Sequence, residues 1–166
     1  MSRYLILCVD DERDVLDSVI NDLSALESHF VIEAAESVAE ARDILADAAA
    51  DGLELALILC DHIMPEELGV DFLVELNKSP DTHNARKLLL TGQAGMEETV
   101  QAVNHASLDY FIAKPWEGST LQQIVSDQLT TFVIENDSNL LPWVSVLNAE
   151  RIMEAISNNR LSYSDT

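Results

Sequence analysis

The chain has 166 residues, 48% of them hydrophobic, and a formal net charge of −21. That length suits one domain with a proper core, while nine Lys and Arg against 30 Asp and Glu cannot form a dense basic face, which excludes nucleic acid as a partner of this chain. No run approaches the roughly 20 apolar residues of a membrane span, and the apolar stretch near Met1 is too short and too soon acidic for a signal peptide. A cytoplasmic protein without membrane contact is therefore expected. Cys8 and Cys60 stand inside apolar runs with no CxxC pattern or Cys/His cluster beside them, and read as buried apolar residues.

Tyr4–Val9 is a short apolar run of the kind that forms a strand buried on both faces. Glu12–Glu27 follows, with Val15, Leu16, Val19, Ile20, Leu23 and Leu26 on one helical stripe. Phe30–Ala35 reads as the second strand. Ser37 with Glu40 forms a capping-box pattern that opens a helix over Val38, Ala41, Ile44, Leu45 and Ala48, and Gly52 closes it. Leu55–Cys60 is the third strand. Glu67–Lys78 is the third helix, with Leu68, Phe72, Leu73 and Leu76 inward, ended by Ser79-Pro80-Asp81. Lys87–Leu90 makes the fourth strand, Met96–Asn104 a short helix, Tyr110–Ala113 the fifth strand, and a longer helix runs from about Ser119 to Ile134.

Strict βα alternation predicts a doubly wound five-stranded parallel sheet with helices on both faces. Right-handed crossovers and a shared switch point favour the strand order 2-1-3-4-5. Asp10, Asp11, Asp61, Thr91 and Lys114 each stand where an apolar run ends. In such a sheet all five emerge at the carboxyl edge, where open α/β sheets bind ligands. Three carboxylates, a hydroxyl and an ammonium on one crevice suit a divalent cation and a phosphoryl group.

The last stretch changes character. Asn136-Asp137-Ser138-Asn139 is turn-prone, Leu140, Leu141, Pro142 and Trp143 form an apolar cluster, and Asn148 is placed to cap a short helix carrying Ile152, Met153 and Ile156. A helix of about ten residues is marginal alone in water, so this stripe is expected to pack on the rest of the chain or on a second copy. Ser157–Thr166 is polar and expected to fray.

Four separated motifs carry a family resemblance: Leu5-Ile6-Leu7-Cys8-Val9-Asp10-Asp11-Glu12; Asp61-His62-Ile63-Met64-Pro65 with Gly69; Leu89-Leu90-Thr91-Gly92; and Lys114-Pro115-Trp116. Asp61 and Thr91 are 30 residues apart, and Thr91 and Lys114 are 23 apart. In order and spacing the chain resembles the receiver domain of two-component response regulators, of the chemotaxis-regulator type, which has a flavodoxin-like fold. The resemblance covers about residues 3–135. It places a receiver domain at residues 1–135 and a C-terminal extension, a linker plus a short helix, at 136–166.

The resemblance implies that Asp61 is the phosphoacceptor, phosphorylated by a sensor histidine kinase or a histidine phosphotransfer protein. It implies that Asp10, Asp11, Asp61 and the backbone carbonyl of Ile63 hold Mg²⁺, a hard octahedral cation that prefers one or two carboxylates plus phosphate oxygens. Lys114 would stabilise charge on the phosphoryl oxygens, and Thr91 would donate its hydroxyl to one of them, with Gly92 leaving room. The Lys114–Pro115 peptide would be cis. Phe111 stands at the family's aromatic switch position, with a plain core residue as the alternative. Ile63 and Gln93 occupy positions that modulate dephosphorylation. Such a protein is a signalling switch and no enzyme beyond its own phosphorylation and dephosphorylation. Its output would run through the face formed by Met96–Asn104, Tyr110–Ala113 and Ser119–Ile134, to a protein effector, a downstream output domain or a second copy.

Three rivals remain at this level. A haloacid-dehalogenase-type phosphatase also uses Asp, Thr, Lys and Mg²⁺ but needs a DxD motif, which Asp61-His62-Ile63 lacks. A flavodoxin-type FMN binder needs a Ser/Thr/Gly phosphate cradle where this chain has Asp10-Asp11-Glu12. The third is a constitutive pseudo-receiver, although none of the residues that mark an active receiver is missing. His29, His62, His83 and His105 lack a second ligand at metal spacing and read as surface residues.

Overall fold

The computed structural model describes residues 3–92 and 108–164, with side chains to Asn159. Five strands, β1 (Tyr4–Val9), β2 (Val31–Ala35), β3 (Glu54–Asp61), β4 (Arg86–Thr91) and β5 (Tyr110–Ala113), form one sheet of order β2-β1-β3-β4-β5. Every neighbouring pair is parallel. The described helices are α1 (Arg13–Asp22), α2 (Val38–Ala50), α3 (Gly69–Lys78), α4 (Gly118–Asn136) and α5 (Ala149–Ser164). The helix expected over Met96–Asn104, with Gln93 and His105, lies outside the described residues.

The continuous apolar runs are explained by two cores, one on each face of the sheet. Leu5, Leu7 and Val9 of β1 and Ile58 and Cys60 of β3 pack against Val38 and Ala41 of α2 and Phe72, Leu73 and Leu76 of α3. Ile6 and Cys8 alternate to the other face and meet Leu16 and Val19 of α1, Leu23 just after it, and Leu121, Val125 and Leu129 of α4. A strand buried on both sides cannot show apolar/polar alternation. Cys8 and Cys60 are buried free thiols within these layers, as expected.

Local signals act where they were read. Ser37 Oγ accepts from the backbone N–H of Glu40 to cap α2, while the Glu40 carboxylate accepts the N–H of Glu36, one residue outside the usual box. Gly52 follows α2 with φ +78°, a left-handed turn that glycine adopts without strain.

α1 is shorter than the expected Glu12–Glu27. It ends at Asp22, and the chain tightens into a 3-10 turn over Ser24–Leu26, with Leu26 N–H donating to the Leu23 carbonyl at 2.9 Å. Leu23 stays buried through this change, so the apolar stripe is preserved while the helix is not.

The C-terminal residues fold back onto the amino edge of the sheet. Leu140, Trp143, Leu147 and Ile152 are buried in the same cluster as Tyr4, Phe30 and Phe132. The Tyr4 and Phe132 rings meet edge to face at 5.3 Å, and Trp143 lies 5.2 Å from the Phe30 ring. The Asp137 carboxylate collects the Tyr4 hydroxyl at 2.9 Å, the Trp143 indole N–H at 3.0 Å and the backbone N–H of Asn139. Burial alone would raise Asp137, but these three donors outweigh it and hold the carboxyl below its ordinary range.

Asn148 caps α5 by accepting the Arg151 N–H, and Arg151 reaches the Asp127 carbonyl and the Thr131 hydroxyl on α4. α5 spans 16 residues and runs to Ser164, so residues 157–164 of the tail expected to fray are helical. Anchoring to α4 and a satisfied N-terminus supply what a shorter free helix lacks. Ile152 is buried as predicted, whereas Met153 of the same expected stripe is 52% exposed.

Candidate functional site

Register places the polar strand ends side by side. Val9 lies level with Cys60, Asp61 with Leu90, and Thr91 with Ala113. Asp10, Asp61, Thr91 and Lys114 thus emerge within two residues of one another along the carboxyl edge. Asp10 is anchored by its N–H to the Ala35 carbonyl, and its Oδ1 accepts the N–H of Glu12, which leads into α1.

One oxygen from each of Asp10, Asp11 and Asp61 lies within 4.8 Å of the others. Asp10 is fully buried, Asp61 buried, and Asp11 exposed at the rim. Lys114 Nζ stands 2.8 Å from Asp10 Oδ2 and 3.0 Å from Asp61 Oδ1. One ammonium against three carboxylates leaves the cluster short of positive charge. Burial first, then the charge of Asp10, pushes Asp61 from 3.8 up to about 6 despite the pull of Lys114. Burial by itself would lower the Lys114 ammonium, yet its hydrogen bonds to Asp10 and Asp61 hold it above its ordinary value. Close carboxylates with hard oxygen donors and excess negative charge fit a divalent cation such as Mg²⁺.

The loop after Asp61 is shaped by close approach. Gly69 N–H donates to the His62 carbonyl at 2.8 Å, and a Cβ on Gly69 would collide with the backbone oxygen of Asp61. Met64 is buried, Ile63 is 62% exposed, and Glu66 takes a left-handed φ of +75°. His62 departs from expectation: it is 2% exposed, not a surface residue. The turn back to Gly69 packs over the 61–62 backbone and encloses it. His29 and His83 are exposed as read.

Thr91 ends β4, buried, and its carbonyl accepts the N–H of Lys114 at 2.7 Å. Among the described residues, a Cβ at Gly92 would meet no atom within 4 Å. The Lys114–Pro115 peptide is cis. Phe111 is 51% exposed. Trp116 donates its indole N–H to Asp22 Oδ2 at 3.1 Å, and Asp22 is a partner that the sequence reading missed.

Residues 6–126 match the family model described as response regulator receiver domain. Among curated proteins, the chain is 26% identical over 137 residues to the hydrogenase transcriptional regulatory protein HoxA of Bradyrhizobium diazoefficiens, covering 80% of this chain and 25% of that protein. It is 30% identical over 115 residues to a probable cyclic di-GMP phosphodiesterase of Vibrio cholerae, covering 69% of this chain and 24% of that one. The chain thus spans about a quarter of the length of these relatives. Among solved structures, a CheY-like response regulator receiver domain protein from Methanospirillum hungatei superposes with TM-score 0.67 at 27% identity, covering 81% of this chain and 100% of that chain. The signal receiver domain of an HD domain-containing protein from Pseudomonas fluorescens shares the fold at TM-score 0.69 and 22% identity, over 78% and 97% of the two chains. No helix among the described residues is long and apolar enough to cross a membrane.

Proposed function

Because the chain belongs to the response regulator receiver domain family, we propose that it is a phosphorylation-dependent switch that accepts a phosphoryl group on Asp61. The observation that carries this reading is the meeting of Asp10, Asp11, Asp61 and Lys114 at the carboxyl edge of the sheet. A sensor histidine kinase or histidine phosphotransfer protein is the donor. An Asp61 oxygen forms the new P–O bond while the P–N bond to the donor imidazole breaks, and the imidazole nitrogen leaves with the bond's electron pair.

Asp10, Asp11, Asp61 and the Ile63 carbonyl are the residues that would hold Mg²⁺, whose charge offsets that of the carboxylates and phosphoryl oxygens. Lys114, already pinned between Asp10 and Asp61, adds a fixed positive charge facing the developing charge. Thr91 donates its hydroxyl to a phosphoryl oxygen, and Gly92, with no side chain and no described atom within 4 Å of where a Cβ would stand, leaves room for the group. Burial of Asp10 and Asp61 excludes water from one side of the nucleophile. A cleft of about 430 Å³ between α1 and Lys114–Trp116 opens beside the site and offers the donor a route of approach.

Contacts of the phosphoryl group with Thr91 and Lys114 exist in only one of the two states, so they bias the segments attached to those residues. The output face is Met96–Asn104, Tyr110–Ala113 and Ser119–Ile134, and the exposed rings of Tyr110 and Phe111 belong to it. A protein effector, an output domain or a second copy reads that face. The longer curated relatives, a transcriptional regulator and a phosphodiesterase, support the output-domain option. The chain acts in the cytoplasm and turns over no substrate other than its own phosphoryl group.

The test is incubation with a small phosphodonor and Mg²⁺. Wild type should gain one phosphate, detected by mass spectrometry, and Asp61→Asn should gain none. Labelling of Asp61→Asn at the wild-type rate would overturn the assignment.

A further inference from the structure

α1 ends on Asp22, with no basic residue in its last turn. A carboxylate there faces the negative end of the helix macrodipole and needs a compensating partner. Three features converge on it. Its Oδ2 accepts the Trp116 indole N–H at 3.1 Å, and its carbonyl accepts the Gln122 amide at 2.8 Å. A Cβ on Gly118 would sit 2.9 Å from Asp22 Oδ1, so glycine makes the room that lets the carboxylate reach the indole.

Trp116 stands two residues beyond Lys114. The Lys114 backbone is tied on one side by its N–H to the Thr91 carbonyl at 2.7 Å. On the other side the first side-chain anchor is the Trp116–Asp22 bond. A lysine is a point charge on a flexible four-carbon stem, so its backbone position decides how well the ammonium is aimed. α1 also begins directly after Asp10, Asp11 and Glu12, with the Glu12 N–H on Asp10 Oδ1. One helix therefore joins the acidic side of the site, at its start, to the lysine side, at its end.

We propose that Asp22 is a positioning residue of the phosphoacceptor site: by accepting the Trp116 indole it fixes segment 114–117 and aims Lys114 at the phosphoryl group. This rests on the reading of Asp61 as phosphoacceptor. It also gives tryptophan at position 116 a role that phenylalanine could not fill, since only the indole has a donor.

Calorimetric titration of the full chain with Mg²⁺, then with beryllofluoride at saturating Mg²⁺, tests the proposal. Trp116→Phe and Asp22→Ala should each bind beryllofluoride about tenfold more weakly, with Mg²⁺ affinity within about twofold of wild type, because Lys114 meets the phosphoryl mimic and not the metal. The double variant should be no weaker than the weaker single one. Asp22→Asn retains an acceptor oxygen and should recover most of the affinity, while Gly118→Ala, which crowds Asp22 from the other side, should reproduce the loss. Unchanged beryllofluoride affinity in Trp116→Phe and Gly118→Ala would refute the latch. Equal weakening of Mg²⁺ and beryllofluoride would refute it too, since that pattern reports general loosening. If wild type itself binds Mg²⁺ but no beryllofluoride, the phosphoacceptor reading fails and takes the latch with it.

Discussion

Gly69 and Asp61 touch through their backbones: the first residue of α3 lies so close to the Asp61 carbonyl that no side-chain carbon fits between them. The Gly69 N–H meanwhile donates to the neighbouring His62 carbonyl. α3 is thus laid directly on the end of the strand that carries the nucleophile. The glycine is needed for space.

Gly69→Ala should therefore damage stability and site together. Forcing a methyl against backbone costs about 1–3 kcal/mol or more, because neither partner is a flexible side-chain tip. A lowered urea midpoint together with reduced labelling by a small phosphodonor is the expected outcome. A variant with unchanged midpoint and full labelling would show that the loop moves freely.

Asp61 should leave a signature in the pH dependence of stability. Its folded value of about 6 lies above the ordinary 3.8, so in this range the folded state binds more protons than the unfolded state. Its contribution to stability is present below about pH 4 and is lost as pH rises towards 6, on the order of 3 kcal/mol at most. Asp61→Asn should lack this slope, gaining on wild type in urea melts at pH 7.5 relative to pH 4.5 without metal. Parallel curves for the two proteins would mean that Asp61 titrates normally.

The strands and the site residues were legible because buried parallel strands show uninterrupted apolar runs and the polar residue that ends each run must surface at one edge. Asp10, Asp61, Thr91 and Lys114 were readable in this way without any tertiary information. His62 was not, because its burial follows from a loop folding back through Gly69, a contact that periodicity does not encode. The end of α1 was missed for a related reason: Leu23 and Leu26 keep the stripe whether the turn is α or 3-10. Asp22 left no trace, because the apolar stripe carries the expected helix past it to Glu27, and only the structure pairs it with Trp116. The part played by Asp137 was hidden, since an Asn-Asp-Ser-Asn turn reads as solvent-facing until the aromatic rings above it are placed.

Lys114→Ala should separate metal binding from phosphoryl sensing. Lys114 is the only ammonium reaching Asp10 and Asp61 among the described residues. Without it the carboxylates repel one another more strongly in the metal-free protein, so the melting temperature should fall. Added Mg²⁺ should then raise it by at least as much as in wild type. Beryllofluoride, which depends on the ammonium, should add nothing further. A lost Mg²⁺ shift would assign the lysine a role in holding the metal ligands themselves.

Trp143→Ala tests whether residues 140–156 are part of the folded unit. Trp143 is buried against Tyr4 and Phe30, and its indole donates to Asp137, which also accepts from Tyr4. Truncation removes a large, buried aromatic contact and strips one donor from a half-buried carboxylate, so the loss should be about 3–5 kcal/mol. Amides of β1 and of the C-terminal half of α4 should exchange faster with solvent, since both pack on the vacated space. Mg²⁺ affinity should change little, because Asp10 and Asp61 lie at the opposite edge of the sheet from Tyr4. A loss below about 1 kcal/mol with exchange accelerated only after residue 137 would make the C-terminal residues a tether resting on the surface, not a component of the core.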